Sequence, residues 1–142
     1  MVSLLTKKDK EEIVEAIGRA ENLTSGEIRV HLKKKCGEDV LAEAKKVFSK
    51  LRMHKTKERN AVLILIALHS KKFAILGDSG IHRHVGEDFW AQTRDTMASH
   101  FLEGRMKEGI VAGVMSAGEK LKAHFPLKAD DKNELSNTIT ED

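Results

Sequence analysis

Tyrosine is absent from this 142-residue chain, and tryptophan, proline and cysteine each occur once. Each scarcity excludes something. A lone thiol, Cys36, cannot close an internal disulfide. It stands in Lys35-Cys36-Gly37 with no C-x-x-C partner and reads as a spectator. Five Phe and one Trp leave few platforms on which unpaired bases could stack. Charge of one sign is also lacking, because 25 basic and 22 acidic residues leave a net +3. The basic clusters Lys33-Lys34-Lys35 and Lys55-Thr56-Lys57 have acidic neighbours within a few residues, the pattern of a solvated rim. Nucleic acid is therefore not an expected partner. The longest apolar run, 61–68, holds eight residues, against the ~20 that a membrane-crossing helix needs. The opening Met1-Val2-Ser3-Leu4-Leu5-Thr6-Lys7 carries no apolar stretch of the secretory kind. No direct membrane insertion is expected, and a cytoplasmic location is.

What is present is a globular mixture, 40% hydrophobic and 33% charged, of single-domain length. Thr6 followed by Asp9 forms a weak capping box, and Ile13, Val14, Ile17 and Ala20 repeat at helical spacing, so a helix is expected over about 7–22. Residues 27–33 alternate polar and apolar, the mark of a strand with one face covered. Asp39 can cap a second helix with an inner stripe of Leu41, Ala44, Val47, Phe48 and Leu51. The run 61–68 reads as a central strand covered on both faces. A polar turn at His69-Ser70-Lys71-Lys72 makes the next strand, 72–76, a hairpin partner. Val85, Phe89, Met97 and Phe101 mark a third helix ended by Glu103-Gly104, and a fourth is expected over about 106–124, stopped by Pro126. The order is αβαββαα. It predicts one domain over 1–127, a three-layer α/β/α sandwich around a small mixed sheet, followed by an acidic, polar tail over 128–142 that wraps the surface or lies loose.

Chain direction gathers chemistry at one sheet end. The first two strands run parallel and the third returns, so Glu27 at the start of the first, Glu58, Arg59 and Asn60 before the second, and Gly77-Asp78-Ser79-Gly80 after the third all meet there. Glu87 and Asp88 open the third helix at the same end. Clustered oxygen donors suit a hard cation, calcium or magnesium. The competing reading is plain capping: Asp78 closes a turn, Glu27 pairs with Arg59, and Glu87 and Asp88 complement a helix dipole. No G-x-x-x-x-G-K-[ST] loop and no G-x-S-x-G elbow occurs. Arg83-His84-Val85-Gly86 carries one residue too many for a histidine-phosphatase signature. His82 and His84 fall at a loop-to-helix junction, where side chains two apart diverge, and read as surface residues. Asp130-Asp131-Lys132-Asn133-Glu134 lacks the glycine and distal glutamate of a calcium loop.

The succession Gly26-Glu27-Ile28-Arg29-Val30, then residues 56–64 (Thr-Lys-Glu-Arg-Asn-Ala-Val-Leu-Ile), then 73–81 (Phe-Ala-Ile-Leu-Gly-Asp-Ser-Gly-Ile), resembles the TPM domain family. Phe89-Trp90, Gly104, Gly109-Ile110, Phe125-Pro126 and Asp131-Asn133-Glu134-Leu135 are similar to its short bacterial branch. The resemblance implies a Rossmann-like α/β/α fold and a divalent metal, calcium or magnesium, at Asp78, with Glu27, Glu58 and Asn60 as further ligands. It places the chain beside a thylakoid-lumen protein described as an acid phosphatase and linked to photosystem II repair, and beside an accessory protein of acetylcholine receptors. Many members carry an export signal and a later apolar helix, and neither is expected here. The expected function is a metal-binding interaction module with an unidentified protein partner and no dedicated catalytic nucleophile. The alternative is a weak metal-assisted phosphomonoesterase with Arg59 steadying the phosphate.

Overall fold

The computed structural model describes residues 5–127 and 139–142. Helix α1, Lys7–Glu21, begins at the expected capping box: Thr6 Oγ1 accepts from the Asp9 amide at 3.0 Å, and Asp9 Oδ2 accepts from the Thr6 amide at 2.9 Å. Strand β1 is Glu27–Lys33, helix α2 is Val40–Lys50 with Asp39 accepting from the Ala42 amide, and strands β2 and β3 are Ala61–Ala67 and Lys72–Gly77. The sheet order is β3-β2-β1-β4, with β1 parallel to β2 and β3 antiparallel to it. Helices α4, Ala91–Leu102, and α5, Met106–Lys122, complete the main elements.

Alternation along the strands divides the core in two. Ile28, Val30, Leu32, Val62, Ile64 and Ile66 pack against α1, α4 and α5 through Ile13, Ile17, Met97, Ile110, Val114 and Leu121. On the opposite face Ala61, Leu63, Leu65 and Ala74 meet Ala44, Val47 and Phe48 of α2. The sheet is thus covered by helices on both sides, the mixed α/β sandwich that the strand and helix order implies.

Three local features differ from the sequence reading. The third helix is broken: Asp78 caps a single turn, α3, Ser79–His82, Glu87–Trp90 is a 3₁₀ turn, and α4 follows. Val85 and Phe89 still pack on the core, but Gly86 supplies no capping side chain and Phe89 bonds back to the Gly86 carbonyl over three residues. Strand β1 is covered on both faces, so Arg29 and His31 are buried. Arg29 lies beside Glu21 and Glu27, and His31 meets the end of the expected tail. Thr140–Glu141 forms strand β4 alongside β1; Thr140 Oγ1 lies 2.7 Å from His31 Nδ1, and Asp142 Oδ1 lies 2.9 Å from Lys33 Nζ. The remainder of that tail, with Asp130, Asp131, Asn133 and Glu134, lies outside the described residues.

Candidate functional site

The start of β2 is the hub of the site. Glu27 is the register partner of Ala61, and the Asp78 amide donates to the Ala61 carbonyl at 2.9 Å. Glu27 and Asp78 therefore flank Ala61 at one end of the sheet, as chain direction requires. They do not converge on one point, because each is already engaged in a separate cluster.

Asp78 is gripped by Arg59. Nε donates to Oδ2 at 2.8 Å and Nη2 donates to Oδ1 at 3.0 Å, while the Ser79 amide donates to the same Oδ1 at 2.7 Å. The Asp78 side chain is 6% exposed and that of Arg59 is 44% exposed. Two-point pairing of this kind fixes orientation as well as charge, and the hydrogen bonds that Arg59 donates to Asp78 raise its pKa above the ordinary value. Arg59 holds a left-handed backbone, φ 53°, which disfavours a residue with a side chain. The loop is pinned from behind, since the Gly80 amide donates to the Arg59 carbonyl at 2.8 Å. A Cβ on Gly80 would lie 2.1 Å from the Glu58 carbonyl oxygen, so this approach admits only glycine.

Glu58 belongs to a second group. Its Oε2 accepts from Ser25 Oγ at 2.9 Å, and Asn60 Nδ2 donates to Ser25 Oγ at 3.3 Å. Asn60 is itself buried, its amide directed at Thr56 Oγ1. Glu27 belongs to a third group, with Glu21 and Arg29. The Ile28 amide donates to Glu21 Oε2 at 2.8 Å, and Glu21 Oε1 is buried. Burial pushes the Glu21 carboxyl up to about 8; the Ile28 amide opposes this, and the charge of Glu27 and a hydrogen bond shared with it reinforce it.

Sequence reasoning missed Glu21 and Ser25. A signal existed for Glu21, because a carboxylate in the last turn of a helix opposes the helix dipole and needs a local reason to be there. Ser25 carries no signal apart from its position in the turn before β1.

The donors are oxygen-rich, but their arrangement is not a cation shell. Both Asp78 oxygens face Arg59, Glu58 is bonded to Ser25, and Glu27 neighbours Glu21 and Arg29. Among the described residues no three His, Cys, Asp or Glu side chains are grouped as metal ligands. The residues as they stand do not fit calcium or magnesium. Elsewhere, Asp88 is exposed beyond α3, and His82 and His84 are exposed. Cys36 is a free thiol whose neighbour is Ser70. Among the described residues, no helix is long and apolar enough to cross a membrane.

Fold and site together define a small mixed-sheet α/β sandwich whose polar residues gather at one strand end. The TPM domain family matches residues 1–120, and the chain belongs to that family. The NMR structure of the BA42 protein from the psychrophilic bacterium Bizionia argentinensis is similar over 100% of this chain and 98% of its own, with 45% sequence identity and a TM-score of 0.93. No curated protein matches the chain.

Proposed function

We propose that the chain is a TPM interaction module without a dedicated catalytic nucleophile, which meets a protein partner in the cytoplasm through the sheet end at Ser25, Glu58 and Arg59. The bidentate Arg59–Asp78 pair carries this reading. It neutralises the one carboxylate best placed for chemistry and holds a half-exposed guanidinium in a rigid, left-handed loop. Among the described residues, Asp78 is the side-chain partner of Arg59, and the guanidinium stays half-exposed, suited to a carboxylate or phosphate on a partner.

Calcium or magnesium enters this proposal as a competitor of Arg59. A cation reaches Asp78 only when the guanidinium lets go, so the Arg59→Gln variant should respond to calcium at lower concentration than the parent. The alternative, a metal-assisted acid phosphatase, uses the same carboxylates and needs Asp78 released; the pairing counts against it.

Two measurements test the reading. Hydrolysis of p-nitrophenyl phosphate with magnesium should not exceed the buffer rate; turnover that Asp78→Asn abolishes would replace the module with the phosphatase. Amide shifts over residues 77–81 during calcium titration should appear earlier in Arg59→Gln. A flat response in both proteins removes the cation from the proposal.

A further inference from the structure

Far from the Arg59 end, the turn between β2 and β3 and the connection between α4 and α5 enclose a cleft of about 570 Å³, within the range of small-ligand sites. Its walls are Leu68, Phe73, Phe101, Leu102 and Met106. Phe73 and Phe101 meet edge to face with centroids 5.2 Å apart, which fixes the floor. Gly104, at φ 76°, reverses the chain after α4 and returns Met106 to the opposite wall. Leu102, 89% exposed, forms the lip. An isolated exposed leucine means little, but this one continues an apolar surface into a cavity.

The rim is cationic. Lys71 is exposed and has no ion-pair or hydrogen-bond partner among the described residues. Lys72 Nζ donates to the Gly37 carbonyl at 3.2 Å and also lines the cleft. Glu103, between the lining residues Leu102 and Gly104, is paired with Arg105 at 3.6 Å. Of the described lining residues only these two lysines carry charged or hydrogen-bonding side chains. A peptide would bring backbone amides with few side-chain partners to meet them, whereas a hydrocarbon chain needs none.

From these observations we infer that the cleft binds a medium-chain acyl carboxylate, its hydrocarbon tail between Phe101, Leu68 and Met106 and its carboxylate at Lys71. Among the described residues no histidine, serine or cysteine lines the cleft, and the inference is of binding alone. It is independent of the reading of the Arg59 end.

Sodium decanoate, kept below its micelle concentration, is the probe. Amide shifts at Leu68, Phe73, Phe101 and Gly104 should be saturable. Lys71→Glu, a surface change that leaves the remaining amide spectrum in place, should weaken decanoate ~5-fold at low salt. Decanol, which lacks the charge, should bind equally to both proteins. Absent or non-saturable shifts overturn the inference, and so does equal decanoate affinity in parent and Lys71→Glu. Shifts at the same amides on raising protein concentration alone would assign the cleft to a second copy and overturn it too.

Discussion

Arg59, in the loop entering β2, and Asp78, in the loop leaving β3, stand nineteen residues apart in the chain and meet through two parallel hydrogen bonds of 2.8 and 3.0 Å, both donated by the guanidinium. The pair ties the two ends of the hairpin together, and Asp78 also caps α3 through the Ser79 amide.

Replacing Asp78 therefore removes two functions. Asp78→Ala should lose about 2–3 kcal/mol in urea unfolding, because it deletes a cap and leaves Arg59 without its acceptor. Asp78→Asn retains an oxygen for the Ser79 amide and should lose less. Equal losses in the two variants would show that the cap contributes nothing.

Gly80 tests how tightly the loop is held. Gly80→Ala drives a methyl group into the backbone oxygens of Glu58 and Arg59 at 2.1 and 2.5 Å. Backbone cannot step aside as a flexible side chain can, so the cost should be at least ~2 kcal/mol, with displaced amide resonances at Arg59 and Ala61. Gly86→Ala is the control, since a Cβ there meets nothing within 4 Å. Equal stability of the two variants would mean that the loop moves freely.

Glu21 predicts an unusual pH dependence. Its carboxyl is held up to about 8 against an ordinary value of 4.5, so between these limits the folded protein keeps a proton that the unfolded chain has released. Stability contributed by this group is complete below the lower value and falls as pH rises through the window, by up to about 1.4 kcal/mol per unit. Glu21→Gln keeps an acceptor for the Ile28 amide and cannot ionise. Denaturation midpoints at pH 5, 7 and 9 should decline for the parent and stay flatter for the variant, which should be the more stable protein at pH 9. Parallel profiles would remove Glu21 from the account.

The fold was readable where local chemistry and periodicity agree. The Thr6–Asp9 box, the Asp39 cap and the unbroken apolar run 61–67 each announce their element, and the short turn before Lys72 makes the third strand run back. Chain direction then places Glu27 and Asp78 on either side of Ala61. Their partners were not readable, because partner choice is decided by tertiary distances. Arg59 reaches Asp78 through a left-handed backbone that its own type disfavours, and the approach of Gly80 depends on two loops meeting. Glu27 was expected to face Arg59 or a metal; burial beside Glu21 and Arg29 gives it other company. Strand β4 has two residues, too few for any alternation to show.

That short strand is joined to β1 across the greater part of the chain, with Thr140 beside His31. Closing so long a loop for so few hydrogen bonds makes it a late event in folding and an early one in local opening. Each opening uncovers a row of unsatisfied amides and carbonyls along β1, ready to accept a strand from a neighbouring molecule. Concentrated or gently warmed solutions should accordingly associate through this border first, by exchange of terminal segments between copies.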